Sequence, residues 1–399
     1  MIDYRRQYNA FRYNYKLRKT SLQKEGVLGY LLNTAGYVLI IVLLITSLLV
    51  SVSSEFLIVA QTNVNYIRTF SEKQKARLIA KSGITLATYV LEADKKGIMT
   101  GMLSGNTERY VDSYQDIWAF NFPELSIENG YLTIRIIDEN SKINASILAN
   151  EFVDRTPHYS VAQRFFINMG FPQDYADAII DWVDIDDSRS PYGAESSDYY
   201  LTLETPYRAK NGEMDSIDEM MLIRGITPEI YYGLGGGTSG QEDNLVEDNK
   251  GNRDISLSMF SDIEAGDLPE ESKLELKIGK ERSRKLSDYF RVYGKRSDYL
   301  SELNKININT APYRVLSALT DHMTDDTVTE IIRRRREKPF SSTDEISDLI
   351  GDENIRKNII TVRSYFFRIE STGKVNKTTV TITAIYYRDS KRFYYWSEQ

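Results

Sequence analysis

From Tyr37 to Ser54 the chain carries 18 consecutive uncharged, mostly apolar residues. A run of this length crosses most of a bilayer as a helix. After Glu55 the apolar residues continue but become one-sided: Ala60, Val64 and Ile67, then Ala76, Ala80, Ile84, Ala87 and Leu91, mostly three or four apart. That spacing places them on one face of a helix. No proline occurs before Pro123. The pattern therefore predicts one helix from about Tyr37 to Ala93, roughly 85 Å long at 1.5 Å per residue. A membrane helix that emerges as a long amphipathic spine is suited to packing against other helices of its kind.

Beyond the spine the periodicity shortens. Residues 97 to 130 are mixed, with Trp118, Phe120 and Phe122 as expected core contacts. Tyr131 to Ile137 alternates as a strand does, and Asp138 to Lys142 reads as a polar turn. Helix-compatible spacing follows over Leu148 to Val153, Tyr159 to Gly170, Gln173 to Val183 and Ile217 to Arg224, and a second helical block runs from about Ser283 to Gly351. The C-terminus is β: Tyr365 to Ser371, Thr378 to Tyr387 and Arg392 to Trp396 alternate, with turns expected at Gly373–Lys377 and Arg388–Arg392. The aromatics there line one face of an antiparallel meander. The expected fold is α+β: a long helix packed on an antiparallel sheet, with a large helical insert ahead of the closing strands.

Charge and composition narrow the class. Residues 1 to 27 hold seven Lys/Arg against Asp3 and Glu25, a net of +5, while the whole chain of 399 residues stands at -7. A basic segment before a membrane helix predicts a cytoplasmic N-terminus and a translocated remainder. The basic stretch is too long for an ordinary signal peptide, and no small-x-small cleavage signal follows it. The chain has no cysteine, which excludes disulfides and thiolate metal sites. Two histidines, His158 and His322, leave little for histidine-based catalysis. Residues 233 to 254 are Gly-rich and acidic; Gly233, Gly235 and Gly236 lack the following Lys-Ser/Thr and the preceding strand of a phosphate loop.

Gly36 opens the apolar helix, with Ile67-Arg68-Thr69 and Lys75 to Gly83 downstream. With Asp138 to Asn144, Ile180 to Glu229 and Ile306 to Leu316, this makes four stretches that together resemble the minor pseudopilin K family of type II secretion systems. Asp138 to Asn144 is the second stretch. The third runs from Ile180-Asp181-Trp182-Val183-Asp184-Ile185-Asp186-Asp187 through Gly193-Ala194-Glu195, Asp198-Tyr199-Tyr200 and Arg208 to Gly212, into Ser216 to Glu219 and Leu222 to Glu229. The fourth is Ile306 to Pro312 with Val315-Leu316. The resemblance covers most of residues 36 to 230 and 305 to 399; the segment 235 to 304 is longer than the family's usual link.

The resemblance implies a bacterial inner-membrane protein, single-pass, with its C-terminal domain in the periplasm. It divides the chain into a basic prepilin leader (1–36), a transmembrane helix (37–60), the spine and first part of a pseudopilin domain (61–142), a first helical module with an acidic loop (143–232), a linker (233–281), a second helical module (282–351) and a closing meander (352–399). Prepilin peptidase would cut between Gly36 and Tyr37, with Gly26, preceded by Lys24-Glu25, as a rival site. Pilins commonly place a glutamate five residues into the mature chain; here that position is Ile41. A subunit without that carboxylate need not dock beneath another and can sit first, at the tip. Implied partners are the other minor pseudopilins of the I and J types, the major pseudopilin, the peptidase and the inner membrane, with no nucleic acid.

The acidic loop after Trp182 is the one candidate chemical site. Asp181, Asp184, Asp186, Asp187, Glu195 and Asp198 put six carboxylates in 18 residues, with Arg189 the sole cation. Asp184, Asp186, Ser188 and Glu195 fall at positions one, three, five and twelve of EF-hand spacing, although Arg189 stands where that loop has glycine. Asp184, Asp186, Asp187, Ser188, Glu195 and Asp198 are the candidate Ca²⁺ ligands, an assignment the resemblance strengthens; Asp181 reads as a supporting or structural residue. Two other functions compete. Ile306 to Pro312 also resembles helix-hairpin-helix DNA-binding modules of DNA-uptake pili, and Arg333 to Arg336 is a basic run. The turns Thr320 to Asp326 and Ile350 to Glu353 are acidic, however, and Glu330 and Glu337 flank the arginines, as on a solvated helical face. A hydrolase using Asp184 and Glu195 as a carboxylate pair is the remaining enzyme reading.

Overall fold

The structure, a computed structural model, describes residues 4–96, 111–120, 122–149, 155–172, 174–232, 285–294 and 297–399. The expected Gly-rich loop and most of the expected helix Leu148 to Val153 lie outside them. The chain divides into two units, Met1–Glu72 and Lys73–Gln399. Helix α1, Tyr4–Lys95, begins well before the expected Tyr37; no proline interrupts the N-terminal residues. In the first unit the apolar side chains from Tyr37 to Val59 are exposed, and the segment is long and apolar enough to cross a membrane.

The second unit is built on a five-stranded antiparallel sheet in the order β1 (Leu125–Ile127), β2 (Gly130–Asp138), β7 (Phe366–Val375), β8 (Thr378–Tyr387), β9 (Arg392–Glu398). Ala80, Ile84, Ala87 and Leu91 of α1 bury against Leu132, Ile134, Phe367, Ile369, Ile382, Ala384 and Trp118. Small residues let the two backbones meet. A Cβ on Gly373 would stand 2.0 Å from the Ala76 carbonyl oxygen, and one on Gly83 would stand 2.1 Å from Ser371 Oγ, which donates to the Ala80 carbonyl at 2.8 Å. Gly373 is therefore a strand residue, not the expected start of a turn; the turn is Asn376–Lys377, with Asn376 at φ 54°. Phe120, expected in the core, is largely exposed, whereas Trp118 is buried edge-on to Phe367.

Everything between β2 and β7 is an insert that includes α2 (Pro157–Asn168), α3 (Asp174–Val183), α4 (Pro228–Tyr232), α5 (Tyr313–Leu316), α6 (Asp325–Glu337) and α7 (Glu353–Asn358). Two short parallel ladders organise it: β3 (Ile143–Asn144) with β4 (Phe290–Arg291), and β5 (Ile306–Asn307) with β6 (Ile360–Thr361). The second expected helical block contains β4 near its start, just after a single 3-10 turn at Leu286–Asp288. Each ladder starts from the same Lys-Ile-Asn triplet, at 142–144 and at 305–307, and each asparagine side chain caps the following turn, accepting from Ser146 N and Asn309 N. One apolar cluster, from Ile143 to Val362, runs through both modules.

The expected polar turn Asp138 to Lys142 is instead the buried junction of insert and sheet. Asp138 Oδ2 accepts from Ser364 Oγ, Thr310 Oγ1 and Asn307 Nδ2, and its Oδ1 from Asn140 N. Asn140 donates to the Leu303 and Lys305 carbonyls and accepts from Tyr365 N and Phe366 N. The Asn residues of Ile306 to Pro312 thus serve packing. So does Arg335, buried and donating to the Ile308 and Ala311 carbonyls. This corrects the expectation of a wholly solvated arginine face. Arg333 and Arg334 do face outward, paired with Glu330, Glu337 and Asp348. The asymmetry follows from helical spacing, since neighbouring positions lie about 100° apart around the axis.

Candidate metal centre

Helix α3 has a strongly apolar buried face, and it carries two aspartates inward with it: Asp177 and Asp181. Asp177 is satisfied by the Tyr159 hydroxyl at 2.6 Å, by Arg155 and by Tyr192 N. Asp181 accepts from Ser190 N with both oxygens, at 3.0 and 3.1 Å, which folds the acidic loop back over the end of the helix. Gly193 lies so close that a Cβ there would stand 1.9 Å from Asp181 Oδ2. Only glycine permits this approach, which brings Glu195 down beside the helix.

The outcome is a cluster of Asp181, Asp184 and Glu195, each offering a carboxylate oxygen within 4.8 Å of the others. Glu195 is 1 % exposed, and its Oε1 is buried without a hydrogen-bond partner among the described residues. Burial, then the charges of Asp184 and Asp181, pushes the Glu195 carboxyl up to about 8. Burial, opposed by the Ser190 hydrogen bonds and aided by Asp177, also raises Asp181. The nearby cations are turned elsewhere: Arg189 pairs with Asp198 at 2.9 Å, and Arg224 donates to the Gly193 carbonyl while its guanidinium covers Tyr199. Three close carboxylates, one with an orphaned buried oxygen, fit a hard divalent cation, and an all-oxygen set in a loop suits Ca²⁺.

The other loop residues are placed differently from the EF-hand spacing. Asp186 accepts from Ser188 N at 2.7 Å, Asp187 accepts from Asn211 Nδ2 at 3.0 Å, and Asp198 caps Glu195 N at 2.8 Å; Asp186, Asp187 and Ser188 are exposed. Of the expected ligands, Asp184 and Glu195 come together, joined by Asp181 from the helix. From the sequence Asp181 takes a supporting part, because it precedes Trp182 at a helix end. The signal was nevertheless present, since a carboxylate on the buried face of a helix must find either donors or a cation. Trp182 itself stacks edge-on with Tyr200, forming the wall behind the cluster.

Two family models match the chain in order. The first, described as the first domain of type II secretion system protein K, covers residues 141–235, the module that holds this cluster. The second, protein K of the same system, covers residues 306–362. Over these residues the chain is similar to protein K of type II secretion systems. Among curated relatives, protein K of Pectobacterium carotovorum subsp. carotovorum is 28 % identical over 212 residues, which is 50 % of this chain and 60 % of that protein. Protein K of Aeromonas hydrophila is 29 % identical over 213 residues, 50 % of this chain and 61 % of the relative. The matches thus span about three-fifths of the length of these protein K relatives. A solved structure, the GspK-GspI-GspJ complex of the enterotoxigenic Escherichia coli type 2 secretion system, holds a chain with the same fold. Its TM-score is 0.55 at 18 % identity, covering 84 % of this chain and 97 % of that one.

Proposed function

We propose that this protein K homologue is a minor pseudopilin that starts or caps the pseudopilus of a type II secretion system. The observation that carries the reading is the size and position of the insert: more than 200 residues stand between two neighbouring strands, β2 and β7, of a small pseudopilin sheet. A subunit so enlarged would clash with its own copies if repeated along a filament, but fits once at an end. The apolar helix supports membrane anchorage with the N-terminus cytoplasmic and the second unit periplasmic. The partners of this reading are minor pseudopilins of the I and J types, the major pseudopilin and prepilin peptidase. The role is assembly, and no catalysis is proposed. The cluster of Asp181, Asp184 and Glu195 would hold Ca²⁺ and brace the first module.

Processing is the first test. Co-expression with a prepilin peptidase is expected to move the N-terminus to Tyr37. An intact mass that retains Met1, or one that starts at Val27, contradicts this assignment. Deleting the chain from a reconstituted system should reduce the number of pseudopili initiated rather than their thickness; unchanged initiation counts against the tip reading.

The nucleic-acid alternative predicts binding that weakens steeply with salt as phosphate contacts release counterions. On α6, Arg333 and Arg334 are already paired with carboxylates and Arg335 is buried, so duplex and single-stranded DNA are expected to show no retention at physiological salt. A measured log K against log salt slope of several units would revive the alternative.

A further inference from the structure

A second group of buried carboxylates lies where α1 ends, far in sequence from the acidic loop. Asp94 of α1 and Asp112 and Asp116 of the segment that follows offer oxygens within 4.8 Å of one another. Arg388, at the end of β8, donates to both oxygens of Asp112 at 2.7 Å, to the Ser364 carbonyl at 2.7 Å, and reaches Asp94 at 3.5 Å. Asp112 also accepts from Ser364 N, and its own carbonyl accepts from Asn307. Asp116 accepts from Ser113 N at 2.6 Å. The indole of Trp118, 1 % exposed, is directed at Asp116, and its N–H completes no hydrogen bond of normal geometry. One corner thus fastens the end of the spine, the 111–116 segment, the β6–β7 link and the end of β8.

The chemistry of this corner differs from that of the Ca²⁺ candidate. A guanidinium already stands among the carboxylates, and the remaining donors are N–H groups, which a metal ion cannot use. Three carboxylates against one cation still leave excess negative charge out of water, and the compact way to remove it is protonation. The other charged groups at this corner are matched. On α1, Glu92 takes Lys391 and the Tyr386 hydroxyl, and Lys95 takes Asp389; at the end of β2, Asp138 is held by Ser364, Thr310 and Asn307.

We propose that Asp94 and Asp116 are both protonated in the folded corner, and that these protons are a pH-dependent clasp holding the C-terminal end of the spine helix to the sheet and to the insert. Burial, then the neighbouring carboxylates Asp116 and Asp112, raises Asp94 to about 8; burial is also the main cause that raises Asp116 to about 7. Both shifts are upward, so the folded corner binds the protons more tightly than the open one. Its stability is complete below the ordinary carboxylate range and is lost as pH rises through 7 to 8. In the periplasmic location proposed above, alkaline surroundings would thereby loosen the spine's attachment.

The test is site-resolved hydrogen exchange on the full chain in detergent micelles. After correction for intrinsic exchange, opening of residues 88–95 and 111–118 should rise up to about a hundredfold per pH unit between about pH 5 and 7, as two protons are released on opening. Asp94→Asn and Asp116→Asn each keep a neutral hydrogen-bonding group and should each flatten that rise to about tenfold or less per unit, while the central amides of β8 remain protected. An unchanged rise in both variants overturns the proposal, as does a flat profile in the unaltered protein. Because the unaltered chain is itself one arm, a variant that fails to fold leaves the outcome decided.

Discussion

Calcium at a hundredfold excess over its Kd is expected to stabilise the folded chain by about 2.7 kcal/mol, since a ligand that binds only the folded state acts by mass action. In detergent micelles this appears as a rise of several degrees in melting temperature, reversed by chelator. Asp184→Ala and Glu195→Gln should each abolish the shift. Asp325→Ala, which removes an exposed carboxylate at the start of α6, should leave it intact. The pH dependence has a definite sign. Glu195 is held up near 8 by burial and by Asp184 and Asp181, so below that pH the ion must displace a proton, and affinity should weaken by up to about tenfold per unit as pH falls. Without calcium, the same raised pKa means that stability declines as pH climbs towards 8, and calcium should cancel that decline. Terbium offers an independent readout, because Trp182 and Tyr200 form the adjacent wall and should sensitise its emission. No binding heat, no terbium emission and an unchanged melting curve would together mean that the loop holds protons instead.

Much of this architecture was legible because hydrophobic period is a direct image of burial. The Ala80, Ile84, Ala87, Leu91 series marks the α1 face that meets the sheet, and the bounds of β8 were read residue for residue as Thr378–Tyr387. What failed has one physical theme, polar residues acting as core. Asp138 to Lys142 looks like a surface turn by composition, yet its side chains are buried, and those of Asp138 and Asn140 are satisfied by partners more than 150 residues away. Arg335 is hidden by its place on a helix rather than by its type. The acidic loop shows both outcomes. Its spacing put Asp184 and Glu195 among the candidate ligands, and they do meet, but it could not show that Gly193 lets Glu195 fall beside Asp181, while Asp186 and Asp198 take local partners. Lys-Ile-Asn at 142 and again at 305 was a signal of paired modules that only the two matching ladders make evident.

The largest destabilisation is expected from Gly373→Val. At that position the β7 backbone touches the α1 backbone: an added Cβ would stand 2.0 Å from the Ala76 carbonyl oxygen and 2.8 Å from Ala80 N. Neither neighbour is a flexible side chain, so relief requires helix and sheet to separate by more than roughly 1 Å, and close-packed contacts decay over that distance. The buried row of Ala80, Ile84, Ala87 and Leu91 would loosen together, with an expected cost of about 3–5 kcal/mol. Gly83→Ala tests the same interface more gently, because the obstructing atoms belong to side chains: the Ser371 hydroxyl, which can rotate at the cost of its bond to the Ala80 carbonyl, and Leu132 Cδ1 at 2.6 Å. A loss nearer about 1–2 kcal/mol is expected there. Gly351→Ala, where an added Cβ meets nothing within 4 Å, is the control and should change stability by less than about 0.5 kcal/mol. Denaturant unfolding of the three variants in the same micelles ranks them. If Gly373→Val unfolds with Gly351→Ala, the spine does not rest on the sheet through its backbone, and the small residues of α1 serve some other contact.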